Sequence, residues 1–164
     1  MMKRHERRPP SGAPDGTVWF GGPVDRFRVT LRLSGEELDP DQISALLCCA
    51  PTRAHRRGLP ISAREGATIA KKGQWQLTID SRDGDERDDV EDGVKALLER
   101  LPSDPGLWAS LTSTYKVDIF CGLFLKSSNR GFEMSAEISK LLSDRYLNIG
   151  FDMYFDPPEQ GPTT

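Results

Sequence analysis

Arg53, His55, Arg56 and Arg57 fall within five residues of one another. That density of guanidinium donors beside an imidazole is where this chain comes nearest to offering chemistry. Guanidinium forks match carboxylates and phosphates bidentately, so the segment could grip a small anion, with Trp75 as an apolar wall. Arg53, His55, Arg56 and Trp75 are therefore the candidate ligand-binding residues. The competing reading is structural. The segment follows an expected helix C-terminus, where cations are favoured because unsatisfied carbonyls point there, and its arginines then belong to a solvated loop. A general base at His55 would need a nucleophile or a partner, and the sequence names neither. No catalytic residue is assigned.

Other clusters carry less. The acidic run Asp80, Asp83, Asp85, Glu86, Asp88, Asp89, Glu91, Asp92 fails the EF-hand pattern: with Asp80 first, Arg82 takes the third position and Asp85 the sixth, where glycine is wanted. It reads as a solvated loop. Cys48 and Cys49 are adjacent and cannot act as C-x-x-C, and no His/Cys set has zinc spacing. There is no P-loop, G-x-G-x-x-G or G-x-S-x-G. No metal and no cofactor are expected.

The elements that would position these residues are easier to read. Phe27, Val29, Leu31 and Leu33 alternate with Arg28, Thr30 and Arg32. Trp75, Leu77 and Ile79 alternate with Gln74, Gln76 and Thr78. Residues 115–125 and 148–155 alternate in the same way, which describes strands with one dry and one wet face. The run 115–125 carries Phe120 and Phe124 on its second face and is expected to be the central strand. Phe120, Phe124 and Tyr154 should lie on the outer sheet face with Arg28, Arg32, Asp118 and Asp152. Mixed signs there favour cross-strand charge pairs, or a protein partner, over a nucleic-acid platform.

Asp39-Pro40-Asp41-Gln42 is a helix start, with Asp39 as cap, proline at the first position and Gln42 able to close a capping box. Ile43, Leu46, Leu47 and Ala50 follow at helical spacing until Pro51. A second helix carries Val90, Val94, Leu97, Leu98 and Leu101 and ends at Pro102; Gly93 should weaken it by about 1 kcal/mol relative to alanine. Asp104 caps a further short helical stretch with Leu107, Trp108 and Leu111. Ser135 caps a helix carrying Ile138, Leu141, Leu142 and Tyr146. A short extended piece is expected within 52–72.

The expected fold is α+β: an antiparallel or mixed sheet with helices packed on one face, in two strand–helix–strand halves, 27–79 and 115–155, joined by the second helix. The expected core is Phe27, Val29, Leu31, Trp75, Leu77, Val117, Ile119, Leu123, Ile149, Phe151 and Met153, with Leu46, Leu97 and Leu141 from the helices. Residues 1–17, basic and rich in Pro and Gly, read as a disordered tail, residues 18–156 as one domain and 157–164 as a flexible end. Val18, Trp19 and Phe20 should pin the start of the domain.

The 164 residues carry a net charge of −3, which gives no global drive toward nucleic acid or anionic membrane. No apolar run approaches the ~20 residues that span a bilayer. Three cysteines make no disulfide framework, and the basic N-terminus lacks the apolar stretch of a secretory signal. A cytoplasmic location is expected.

Asp39-Pro40-Asp41-Gln42-Ile43, then Pro51-Thr52 with a basic stretch ending at Gly58, then Gly73-Gln74-Trp75, together resemble a bacterial domain-of-unknown-function family numbered 4279. Its pattern runs from a short strand to D-P-D-x-I, then P-T with a basic segment, then a G-x-W strand. The terminal helix and strand, 135–155, fit as well, and the resemblance covers about residues 18–156. It implies a compact α+β domain of bacterial type and brings no catalytic residues. The functional expectation is a non-catalytic protein-interaction module of a bacterial cytoplasmic protein, immunity-like or regulatory, whose partner is another protein. The alternative is a small-anion ligand-binding protein or enzyme using residues 53–57. Neither a membrane nor a nucleic acid is expected as partner.

Overall fold

The first strand among the described residues lies in the middle of the sheet. In the computed structural model, which describes residues 23–81, 89–126 and 130–155, the elements run β1 (Arg26–Gly35), α1 (Pro40–Leu47), β2 (Arg53–His55), β3 (Gly73–Asp80), α2 (Val90–Glu99), α3 (Pro105–Thr114), β4 (Lys116–Leu125), α4 (Ala136–Ser143) and β5 (Asn148–Phe155). They form one five-stranded sheet in the order β2-β3-β1-β4-β5. β1 pairs antiparallel with β3 and β4, β2 antiparallel with β3, and β5 parallel with β4. The sheet is mixed because α4 carries the chain back across it between β4 and β5, the crossover a parallel pair requires. This is the expected α+β class. The expected tail, the pinning residues Val18, Trp19 and Phe20, most of the acidic loop and the C-terminal end lie outside the described residues.

The centre of the sheet is β1, not β4. β4 is apolar on both faces for a different reason: its inner residues are core, while Phe120 and Phe124 belong to an aromatic cluster on the outer face. Along β1, Phe27, Val29, Leu31 and Leu33 are all buried. Opposite them across the sheet stand Ile79, Leu77 and Trp75 on β3 and Leu123, Cys121, Ile119 and Val117 on β4. Residues paired directly across strands share a face, so these rows form the sheet side of one core. Val94, Leu97 and Leu98 of α2, Trp108 and Leu111 of α3, Ile138 and Leu142 of α4, and Ile43 and Leu47 of α1 close it from above.

The caps form as their residue types dictate. Asp39 accepts from the Asp41 N–H at 3.0 Å, Asp104 from Gly106 at 2.9 Å and Ser135 from Ile138 at 3.2 Å, each satisfying a donor the first turn leaves orphaned. α1 stops earlier than Pro51 would require. Cys48 turns into the left-handed region at φ 54°, and the Cys49 N–H closes back on the Ser44 carbonyl at 3.2 Å, a left-handed closure of the Schellman kind. With two turns only, the inward stripe is Ile43 and Leu47, and Leu46 is exposed rather than buried.

Two more expected core residues are exposed. Phe151 and Met153 are 36% and 71% exposed, and Ile149 and Leu141 are only half-buried. The alternation in β5 is real, but β5 is an edge strand and the helices stop short of covering its inner side.

Gly93 also acts against its helix-propensity reading. A Cβ there would stand 2.3 Å from Cε2 of the buried Phe27. The missing side chain lets α2 lie directly on the ring.

Candidate functional site

Segment 53–57 is divided between two sides of the fold. Arg53 and His55 sit on β2, opposite Gln76 and Gln74 of β3, and therefore on the outer sheet face. Trp75 faces the core and is wholly buried; its indole N–H donates to Ser44 Oγ at 3.0 Å, and that hydroxyl donates to the Pro40 carbonyl at 2.9 Å. Trp75 thus pins α1 to β3. It is no wall for a ligand held by Arg53 or His55, because the sheet lies between them.

Arg56 and Arg57 turn toward the loop between β1 and α1. Arg56 Nη1 lies 2.8 Å from Asp39 Oδ1, and Nη2 bonds Asp41. Arg57 Nη1 reaches Glu37 at 3.3 Å and Glu36 at 3.6 Å. The Arg56 guanidinium, helped by the Asp41 N–H, holds the Asp39 carboxyl below its ordinary range. The concavity at this end of the sheet is thus lined by Glu36, Glu37 and Asp39 as well as Arg56 and Arg57. An incoming anion would have to displace carboxylates already seated. Burial, with the Arg53 charge adding to it, pushes His55 below the usual imidazole pKa, and its Nδ1 is sealed without a hydrogen-bond partner. The four candidate residues do not converge on one site.

The outer face of the sheet is built differently. All four helices pack on the inner side, and among the described residues no helix covers the outer rows. Arg28 donates from Nε and Nη2 to Asp80 Oδ2 at 3.1 and 2.7 Å. Arg32 bridges both oxygens of Asp118 at 2.7 and 2.9 Å, and the Thr30 and Thr78 hydroxyls meet at 3.1 Å. Arg32–Asp118 is a cross-strand charge pair of the kind expected from the mixed signs, while Asp80, expected in the acidic loop, instead ends β3 and pairs with Arg28.

Beside them lies an aromatic cluster. The Arg26 guanidinium carbon sits 3.9 Å above the centre of the Phe124 ring, and Phe124 stacks on Tyr154 with centroids 5.2 Å apart and planes 20° apart. Arg32 covers Phe120 at 4.5 Å. All three rings close over Gly122, where a Cβ would find Tyr154, Phe124 and Phe120 at 3.6, 3.7 and 3.9 Å.

Alternation along the sequence points to the three aromatics but not to Arg26. That residue precedes the first apolar residue of β1, and only its register against Phe124 reveals its role. The outer face as a whole carries Arg26, Arg28, Arg32, Arg53 and Lys116 against Asp80, Asp118 and Asp152. It is therefore locally basic on a chain of net charge −3.

Among the described residues no helix is long and apolar enough to cross a membrane, and no group of His, Cys, Asp or Glu converges to hold a metal. The cysteines are free: Cys48 is exposed, and burial pushes the Cys121 thiol up to about 12.

No curated protein and no solved structure matches the chain. The family model of the domain of unknown function DUF4279 matches residues 25–156. That span runs from the residue before β1 to the residue after β5 and takes in the whole sheet with its helices, so the chain belongs to the DUF4279 family.

Proposed function

We propose that the domain is a non-catalytic protein-interaction module, regulatory or immunity-like in kind, acting in the bacterial cytoplasm and docking another protein on its open sheet face. The slab Arg26–Phe124–Tyr154 carries the reading. Aromatic and arginine side chains dominate the energetics of protein interfaces, and here they are pre-stacked, so little rotamer freedom remains to be lost on binding. The basic excess on the face favours a partner surface that is acidic around an apolar centre.

The test is capture from lysate by the immobilised domain, followed by titration of the captured protein. Binding should weaken as salt rises and fall by about tenfold or more in Phe124→Ser with Tyr154→Ser. Arg57→Ala, at the far end of the fold, should leave it unchanged. Capture indifferent to the aromatic pair would sink the proposal.

One observation favours the small-anion reading. Arg53 and His55 stand side by side on an exposed edge strand, and among the described residues no carboxylate pairs with Arg53. Titration with inorganic phosphate while following the His55 ring protons tests it; a spectrum that does not move removes it.

A further inference from the structure

β5 ends the sheet, and among the described residues nothing pairs with its outer edge. A free edge presents a row of unpaired N–H and C=O groups, and proteins usually blunt such edges with charge, proline or a bulge. β5 reads Asn-Ile-Gly-Phe-Asp-Met-Tyr-Phe, eight residues with Asp152 as the sole charge. Its inner side is apolar yet uncovered. Phe151 rests on Phe132 at 4.7 Å, while Met153 and Phe155 are 71% and 63% exposed.

We infer that this edge is a self-association surface, where β5 pairs antiparallel with β5 of a second copy to make a continuous ten-stranded sheet. The proposal goes beyond the docking face and does not depend on it.

The strand's own sequence selects the register. In a two-fold antiparallel pair, facing residues must share a side of the sheet, so the axis passes through a residue position. Centred on Asp152, seven residues pair, but the two carboxylates confront each other, which is destabilising. Centred on Gly150 or Met153, only five pair. Centred on Phe151, seven pair without conflict: Phe151 faces Phe151, Ile149 faces Met153, Asn148 faces Tyr154, and Asp152 faces Gly150.

Gly150 has open space above it, with nothing among the described residues within 4 Å of where a Cβ would stand, so Asp152 of the second copy meets no obstruction there. The area is also sufficient. At roughly 200 Å² per large side chain, the exposed parts of Phe151, Met153 and Tyr154, the large side chains inside this register, offer roughly 300 Å² per copy. Two copies with their edge backbones then approach the ~1,000 Å² of a specific interface.

Sedimentation velocity of the full chain across a concentration series should show a species of twice the chain mass. Met153→Lys places a charge in the contact from a position already exposed, and should weaken self-association by roughly tenfold or more. Arg26→Ala, on the docking face but on β1 and away from β5, should leave it intact. In a Cys48→Ser background, mild oxidation should link Phe151→Cys into a covalent dimer and leave Asp152→Cys unlinked, because only position 151 faces itself. A chain that stays monomeric at every concentration overturns the proposal, as does a dimer indifferent to Met153→Lys. Dimers that form only after removal of residues 1–22 would also overturn it, making the chain's own N-terminal segment the occupant. Cross-linking at 152 but not 151 would overturn the register.

Discussion

His55 and Trp75 each carry a buried polar ring atom, and the fold treats the two differently. The indole N–H of Trp75 is matched, with Ser44 relaying it to the Pro40 carbonyl. The imidazole Nδ1 of His55 is unmatched. Burial comes first among the causes that depress its pKa, and the neighbouring Arg53 charge second. Because the folded-state value lies below the unfolded 6.5, the neutral ring suits the fold. Its contribution to stability is complete above pH 6.5 and declines as pH falls through that value toward the folded pKa. NMR titration should find His55 protonating below 6.5. Arg53→Gln should raise the midpoint without restoring it fully, since burial remains. A midpoint unmoved by Arg53→Gln would mean that the Arg53 charge does not reach the ring. The sequence shows the proximity of Arg53, His55 and Arg56 but not their partition. Their separation depends on which residues β3 and the loop before α1 set beside them, and those partners come from elsewhere in the chain.

At the scale of elements, local patterns are sufficient where one strand or helix decides its own face. The caps at Asp39, Asp104 and Ser135 and the dry faces of β1, β3 and β4 follow from residue type and period alone. The patterns fail where a neighbour decides. Alternation in β5 cannot say that no helix reaches Met153, and helical spacing in α1 cannot say that Cys48 ends the helix before Leu46 finds a core. Gly93 is the sharpest case. Propensity favours alanine there by about 1 kcal/mol, whereas the Cβ would enter the ring of Phe27, which is 2% exposed and has no room to retreat. Overpacking of this kind costs about 1–3 kcal/mol. Gly93→Ala should therefore lower stability in urea denaturation, and Phe27→Leu should relieve part of the loss. A more stable Gly93→Ala variant would show that α2 can lift from the sheet at little cost.

Across the whole molecule, the longest-range polar contact described joins the start of β1 to the segment after β4. Asp25 accepts from the Lys126 N–H at 2.9 Å and from Arg130 Nε and Nη2 at 2.9 and 3.0 Å. Burial alone would raise the Asp25 carboxyl. The Arg130 and Lys126 bonds outweigh it and hold the pKa below its ordinary 3.8. The stabilisation is present above pH 3.8 and is lost as pH falls through the folded value. Asp25→Asn should cost about 1–2 kcal/mol at neutral pH, and the gap to the parent chain should close in strong acid. An equal gap at both ends of the pH range would assign the loss to packing instead of charge. No local reading of the sequence could pair residues more than a hundred positions apart.

The position of β1 has a consequence for how the molecule is made. A ribosome releases the middle of this sheet first, and the partners of β1 come later: Arg32 waits 86 residues for Asp118. At cellular synthesis rates that interval is on the order of ten seconds. Throughout it, Val29, Leu31 and Leu33 have neither the β4 side of the sheet nor α4 to shelter them. The arginines interleaved among them are then still unpaired with Asp118 and, at first, with Asp80. Before they join Asp80 and Asp118, Arg28 and Arg32 set a charge beside those apolar residues, the feature that in general discourages an apolar strand from pairing with another of its kind.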